Sequence, residues 1–215
     1  MEKGHGQGPP PIRNNTDFDP GGNGSNGGAG SPLKNAFIAM LLFLGADLMF
    51  FAGLLGAFLV FRFGAENWPP PDQPRLPLGV TTLNTLVLLA SGGLMIHTLR
   101  TLSSMNHQAI KKGLFITALL GSVFLLVQGY EWVRILGFGL TLTQGVFGAT
   151  FYTLIGCHAL HVIGAVVWLI VVLFRMTVHP DEYEARRFIA IKLAGMYWFL
   201  VVALWPFIYG LVYLS

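Results

Sequence analysis

The sequence predicts an all-α integral membrane protein, a bundle of five transmembrane helices. Hydrophobic residues make up 53% of the 215-residue chain and charged residues only 11%, whereas soluble domains carry about 25% charged residues. Five separate runs of about 20 or more mostly apolar residues are each long enough to cross the hydrocarbon core of a bilayer. Barrel strands are excluded, because these runs are much longer than such strands and show no alternation of period two.

Residues 1–32 are expected to form a disordered cytoplasmic tail. This segment is rich in Gly, Pro and Asn and has almost no bulky apolar side chains. It therefore cannot bury enough surface to offset the entropy cost of ordering. We interpret it as a solvated tether, with a partner-binding arm as the alternative. Residues 33–215 form the transmembrane domain.

Helices are predicted near 35–61, 78–100, 112–136, 144–174 and 187–213. The first break, "RFGAENWPPPDQPRLPLG", is full of proline and cannot continue a helix. The second, "RTLSSMNHQAIKK", is polar and basic, and the third, "GFGLTLTQ", is short and neutral. The fourth, "RMTVHPDEYEARR", carries both signs of charge.

The positions of Lys and Arg predict the orientation of the bundle. With the N-terminus in the cytoplasm, the inner side holds ten of these residues and the outer side three, namely Arg62, Arg75 and Arg134. Positive charge favours the inner side, so the C-terminus should lie outside. The formal net charge of +3 is too small and too scattered to indicate nucleic-acid binding.

Asp47 is an ionisable residue inside the otherwise apolar first helix. It lies about 18 Å from Asn35 along the helix, near the middle of the bilayer, and its side chain is too short to reach the interface. It must therefore be protonated, paired or hydrogen-bonded inside the bundle. Two interpretations stay open, an interhelical hydrogen-bond donor without a role in turnover and a proton-relay or water-organising carboxyl.

Two histidines of the fourth helix reach about the same depth as Asp47. His158 and His161 are three residues apart and share one helix face. We expect one of them to form a hydrogen bond with Asp47 across two helices. Two histidines on one helix supply too few ligands for a closed metal site, so no metal is predicted.

Further polar residues lie in the second and third helices. Gln128, Glu131 and Arg134 follow one another at intervals of three near the outer end, where Glu131 and Arg134 can pair at the interface. Asn84 is expected to form a hydrogen bond across helices. Small residues four apart, such as Ala52 with Gly56, are typical of close helix contacts.

Taken in order, five stretches of the sequence resemble subunit III of the haem–copper terminal oxidases. They are "DLMFFAGL", "LNTLVLLASG", "LFITALLGSVFLLVQGYEW", "GVFGATFYTLIGCHALHVIG" and "YWFLVVALWPFIY", and together they span about residues 36–213. The most specific of them contains the pattern H-x-x-H-V. Asp47 falls where the family usually has a membrane-embedded glutamate noted for carbodiimide reactivity. The family also tends to fill six further positions with the residue types found here: Asn84, Gln128, Glu131, His158, His161 and Trp205.

The sequence also departs from the family pattern. Many members have seven helices, and the two that have no counterpart here form one arm of a lipid-holding cleft. Such a cleft is therefore not expected from this chain alone. In the last helix, Phe199 and Val202 replace a His and an Asp that are common in the family, and Lys192 replaces an acidic residue. A polar network through this helix should be missing.

The resemblance implies a subunit with no catalytic centre and no haem, copper or other cofactor of its own, bound phospholipid excepted. Haem and copper are expected in the partner catalytic subunits. Its implied partners are oxidase subunit I as the main contact, other oxidase subunits, phospholipids and a larger respiratory supercomplex. Its implied location is the bacterial inner membrane, and its implied role is to stabilise the catalytic subunit and support proton uptake in aerobic respiration.

Two alternatives compete with this interpretation. The first is the accessory subunit of a nitric oxide reductase, which shares the five-helix form. The second is a proton-coupled carrier with Asp47 and His158 as a relay. Carriers usually show internal repeats and broken helices at the membrane midplane. The two halves of this sequence show no repeat, and the first four predicted helices contain no proline.

Overall fold

The computed structural model describes residues 32–65, 78–104, 106–137, 145–178 and 184–213, and almost all of them are helical. The helices are α1 (Pro32–Gly64), α2 (Leu78–Arg100), α3 (His107–Gly137), α4 (Gly145–Val178) and α5 (Glu184–Tyr213), with a short 3-10 helix, Thr101–Ser104, after α2. Within these ranges five helices are long and apolar enough to span a membrane, so the predicted fold class is confirmed. The predicted N-terminal tail, apart from its last residue, lies outside the described residues.

The helices end where the sequence supplies a local reason. After α2, the side chains of Thr101, Ser103 and Ser104 each donate a hydrogen bond to a backbone carbonyl three residues earlier, which tightens the chain into the 3-10 turn. The Asn106 side chain then accepts a hydrogen bond from the Ala109 backbone N–H and caps α3. Because of this cap, α3 begins at His107 and not near residue 112, where the change in hydropathy had placed it.

Four of the helices form a closed ring of contacts. Helix α2 packs on α3, α3 on α4, α4 on α5, and α5 again on α2. Large side chains with almost no exposed surface fill the centre of this ring, among them Leu88, Phe124, Phe151, Trp198 and Trp205. Helices α2 to α5 therefore make a four-helix core.

Helix α1 lies outside this core and packs mainly on α4 and α5. Only 11% of its most apolar stretch is buried, against 33–50% for the other helices. Over residues 34–64 the buried side chains are Met40, Phe51 and Phe58, whose spacing of about two and three turns puts them on one narrow stripe. The remaining surface of α1 is apolar and exposed, as expected for a helix that faces lipid or another subunit.

Glycines on the core helices permit the closest helix contacts. A Cβ atom at Gly121 would overlap the ring of Trp198 and lie 3.0 Å from a methyl group of Val166. A Cβ at Gly113 would overlap the Thr98 side chain in the same way. Absence of a side chain at these positions lets α3 approach its neighbours.

The pair Ala52 and Gly56, in contrast, makes no such contact. Both residues are exposed, and a Cβ at Gly56 would meet no atom within 4 Å. Among the described residues of this chain the pair therefore makes no close helix contact, because α1 docks through the stripe that contains Phe51 and Phe58, and the small pair lies off that stripe.

Candidate functional site

Asp47 and His161 meet at the contact of α1 with α4. Each lies near the middle of its helix, and His161 Nε2 is 3.7 Å from Asp47 Oδ1. Both side chains are mostly buried, with 13% of Asp47 and 22% of His161 exposed. The distance is within ion-pairing range but longer than a hydrogen bond. The expected direct hydrogen bond is therefore not formed, in keeping with the short stem of Asp.

The backbone of α4 fixes which nitrogen of His161 carries a proton. Its Nδ1 lies 2.7 Å from the Cys157 carbonyl oxygen. Since a carbonyl oxygen only accepts hydrogen bonds, Nδ1 must be the donor. The other nitrogen, Nε2, then faces Asp47 either as a lone pair beside a protonated carboxyl or as N–H beside a carboxylate. Both forms of the pair have zero net charge, and they differ in which of the two atoms, Nε2 or Oδ1, carries the proton.

Two consecutive phenylalanines of α1 hold the His161 ring. Phe50 stacks on it with ring centres 6.1 Å apart, and Phe51 meets it edge-on at 4.9 Å. Phe51 is fully buried, whereas Phe50 is partly exposed. The aromatic contacts and the pairing with Asp47 thus come from the same segment of α1, which orients the ring from two sides.

His158 does not contact Asp47, although the sequence made it an equal candidate. It points into the four-helix core, with 1% of its surface exposed. Its ring stacks on Trp205 with centres 5.1 Å apart and meets Phe124 edge-on at 6.4 Å. A separation of three residues turns two side chains about 60° apart around a helix axis. That rotation is enough to send His161 toward α1 and His158 toward α3 and α5.

Trp205, which stacks on His158, also links α5 to α2 by a hydrogen bond. Its indole N–H donates to the Thr85 hydroxyl oxygen over 2.8 Å, and the Thr85 hydroxyl donates to the Thr81 carbonyl oxygen over 2.7 Å. The Tyr209 and Thr82 hydroxyls form a second hydrogen bond between these helices. The expectation that polar contacts through the last helix are missing is therefore wrong, because Trp205 and Tyr209 supply them where Phe199 and Val202 do not. Sequence reasoning missed the threonines and Tyr209. Tyr209 and Tyr213 are one helical turn apart, and this spacing was the feature of the sequence that could have indicated a polar face on α5.

Asn84 donates a hydrogen bond over 3.0 Å to the Phe124 carbonyl oxygen, across the α2–α3 contact. Gln128, one turn further along α3, donates over 3.1 Å to the Tyr213 hydroxyl. Both amide side chains are buried. They therefore tie α3 to α2 and to α5 by polar contacts inside the membrane.

Replacing Asn84 by alanine is expected to lower the stability of the bundle by about 0.6–2 kcal/mol, since it removes one interhelical hydrogen bond. The midpoint of thermal unfolding in detergent measures this loss. Leu83→Ala is the matched control, because Leu83 is the neighbouring residue and is 66% exposed. Equal midpoints for the two variants would contradict a stabilising role for Asn84.

Glu131 is buried near the end of α3, with its Oε1 4.0 Å from Arg134 Nη1. About half of the Arg134 side chain is exposed, against 4% for Glu131. The pairing is thus at the limit of ion-pair distance, and Glu131 is more buried than a solvent-exposed interfacial pair would leave it. Within the described residues no three His, Cys, Asp or Glu side chains are close enough to hold a metal ion.

Comparisons with known proteins agree on one family. The family described as cytochrome c oxidase subunit III matches residues 30–215. The chain is 32% identical over 177 residues to cytochrome c oxidase subunit 3 of Thermostichus vulcanus, which covers 82% of this chain and 86% of that protein. It is 31% identical over 200 residues to the Synechocystis sp. protein of the same name, covering 93% and 83%. The Bacillus subtilis protein of that name is 31% identical over 183 residues, covering 84% and 86%.

Proposed function

The chain belongs to the cytochrome c oxidase subunit III family, and on that basis we propose how its bundle serves the oxidase. As subunit III of a haem–copper terminal oxidase it works in a respiratory membrane complex with other oxidase subunits. We propose that it is a non-catalytic, non-redox subunit, that haem and copper reside in its partners, and that subunit I is its main contact. Cytochrome c, named in its relatives, is the proposed electron donor.

The observation that carries the proposed role is the Asp47–His161 pair. Helix α1 has little buried surface of its own, and its polar contact with α4 lies at the middle of the membrane-spanning segment. An unpaired carboxylate there would cost about 2.5–3.5 kcal/mol or more. The neutral pair avoids that cost and holds α1 against α4. We assign it the first part of the role, stabilisation of the subunit within the oxidase.

The second part of the proposed role is support of proton uptake. A proton that moves between Asp47 Oδ1 and His161 Nε2 leaves the net charge of the pair unchanged, so the transfer brings no uncompensated charge into the membrane. Both side chains retain some exposed surface, which gives water or a partner subunit access to them. His158, Asn84, Gln128, Glu131 and Arg134 are assigned to helix contacts.

The remaining features of the proposal concern the surroundings of the bundle. We place it in the bacterial inner membrane with the N-terminus in the cytoplasm and the C-terminus outside, following the distribution of Lys and Arg. The wide apolar surface of α1 is suited to phospholipid chains or to another oxidase subunit. Membership of a larger respiratory supercomplex is compatible with the same surface. Nucleic acid has no place in this function.

Substitutions at Asp47 test the role of the pair. In Asp47→Asn the new amide can donate to the Nε2 lone pair, so assembly of the oxidase should be normal. In Asp47→Leu the nitrogen loses its partner, and we expect less subunit in the purified complex and a lower thermal midpoint. Met49→Leu, at an exposed position of α1, is the control. Normal yield and midpoint in Asp47→Leu would exclude the stabilising role.

The proton role requires a separate measurement on the Asn variant. This variant keeps the contact but has no carboxyl proton to exchange, so we expect the oxidase to inactivate after fewer turnovers and to take up protons more slowly. Proton uptake by the reconstituted enzyme and oxygen consumption over prolonged turnover are the readouts. Wild-type behaviour in both would leave only the stabilising role.

The relatives named cytochrome c oxidase subunit 3 favour the oxidase over the two alternatives. Purification of the tagged chain in mild detergent, with a reduced-minus-oxidised spectrum, tests this directly. Co-purification of a-type haem, together with cyanide-sensitive oxygen reduction, supports the oxidase. Haem b with nitric oxide reduction would indicate the accessory subunit of a nitric oxide reductase, and a colourless protein that stays alone would reopen the carrier.

A further inference from the structure

A cavity of about 170 Å³ lies between α3 and α4, beside Trp205 of α5. Its walls are almost entirely apolar and include the rings of Phe124, Trp132 and Trp205. On one side it is lined by Gly129 and by Ile163, a residue 46% exposed on the outer surface of α4. The cavity is therefore reached from the membrane phase between the two helices.

Two buried polar side chains line this apolar space. His158 is 1% exposed and Gln128 is 3% exposed. Neither ring nitrogen of His158, nor Gln128 Oε1, has a hydrogen-bond partner in the part of the chain that the structure describes. Leaving such groups unpaired in an apolar environment is unfavourable. The cavity thus combines space for a ligand with unused hydrogen-bonding groups.

The volume of the cavity indicates a ligand larger than water. Four unpaired polar atoms, from His158, Gln128 and Trp132, can hold one or two water molecules, and at about 30 Å³ each two waters would fill only about a third of the cavity. An apolar protein cavity of about 150 Å³ is known to accept benzene. A single six-membered ring therefore fits the space, and the aromatic walls are suited to contact its faces and edges.

The polar groups in the cavity wall indicate which substituent a bound aromatic ring should carry. Whichever tautomer neutral His158 adopts, one nitrogen accepts and the other donates. Gln128 Oε1 is a second acceptor, and the Trp132 indole N–H, which also has no partner among the described residues, is a second donor. A hydroxyl suits this mixed set because it can both donate and accept a hydrogen bond. We propose that this cavity binds a one-ring aromatic alcohol of the phenol class that is dissolved in the membrane. Its hydroxyl donates to the acceptor nitrogen of His158, and its ring lies against Trp205 and Phe124.

Binding of labelled phenol to the purified oxidase tests the proposal. Equilibrium dialysis would compare ¹⁴C-phenol with ¹⁴C-toluene, which has the same shape but no hydroxyl. The Gly129→Leu enzyme, at the same detergent content, supplies the background. A Cβ at Gly129 meets no atom within 4 Å, so a leucine there can extend into the open space without disturbing the helix contacts. We expect one more phenol bound per wild-type complex than per Gly129→Leu complex.

The hydroxyl and His158 have separate expected effects. Toluene should bind the wild type about fivefold to tenfold more weakly than phenol, as for loss of one hydrogen bond. His158→Phe, which keeps a ring against Trp205, should weaken phenol binding by a similar factor and leave toluene binding unchanged. If that variant fails to assemble, the comparison of the two ligands in the wild type and in Gly129→Leu decides the matter.

Two results would overturn the proposal. Equal phenol binding by the wild type and Gly129→Leu would place the ligand outside this cavity. Equal affinities for phenol and toluene would show that the buried polar groups contribute nothing. Either result leaves the role of the Asp47–His161 pair untouched, because none of the side chains tested here belongs to that pair.

Discussion

Replacement of Trp205 by alanine is expected to destabilise the bundle by about 3–5 kcal/mol, as for other truncations of large aromatic side chains in packed cores. Trp205 has no exposed surface, stacks on His158 and meets Phe124 edge-on with ring centres 5.0 Å apart. It also lines the cavity between α3 and α4. Truncation would enlarge that cavity, and loss of the hydrogen bond to Thr85 adds to the cost.

A graded pair of variants separates packing from hydrogen bonding at this position. Trp205→Phe retains most of the ring contacts but loses the N–H donor, so it should cost only about 1 kcal/mol. Phe207→Ala removes a ring that is 65% exposed on the same helix. It should change the thermal midpoint least. Retention of the tagged chain in the complex after heating, followed by size-exclusion chromatography, measures all three. Similar midpoints for Trp205→Ala and Phe207→Ala would refute the packing role.

The second large effect is expected from a single added methyl group at Gly121. In Gly121→Ala the new Cβ overlaps the ring of Trp198, which is fully buried, and crowds Val166, so the surrounding side chains must shift. Overpacking of this kind costs about 1–3 kcal/mol. Gly121→Leu should cost more and prevent α3 from docking against α4 and α5. The midpoint of thermal unfolding of the detergent-solubilised oxidase, followed at this subunit, gives the measurement.

The same substitution two turns further along α3 serves as its control. Gly129→Ala places a methyl group where no atom lies within 4 Å. Because alanine favours a helix by up to about 1 kcal/mol over glycine, this variant should be neutral or slightly more stable. The two glycines therefore predict opposite signs for one chemical change. Equal shifts of the midpoint would mean that the Trp198 ring does not limit the approach of α3.

The number and length of the helices could be predicted from the sequence, because they depend on the bilayer thickness and on the rise per residue of a helix. Five long apolar runs require five spanning helices, since the bilayer thickness and the rise per residue are fixed. The same arithmetic placed Asp47 level with the two histidines of α4. It could not say which of them faces α1, because the rotation of α4 about its axis is set by packing of Phe124 and Trp205 around His158.

The close helix contacts were beyond sequence reasoning for a related reason. The chain has 27 glycines, and spacing alone does not show which of them faces a neighbouring helix. The small pair at Ala52 and Gly56 had the expected interval but lies on exposed surface. Gly121 has its effect through Trp198, more than 70 positions later in the chain. Contacts between residues so far apart follow from the packed arrangement of helices.

The position of α1 outside the core has a consequence for the order of synthesis. A ribosome completes α1 well before α4, and Asp47 is 114 positions ahead of the histidine that pairs with it. During that interval α1 has neither of its main packing partners, α4 and α5. The newly inserted helix therefore holds its carboxyl in protonated form or against the insertion machinery. Docking of α1 is then a late step of biogenesis, and it waits for translation of the fourth helix.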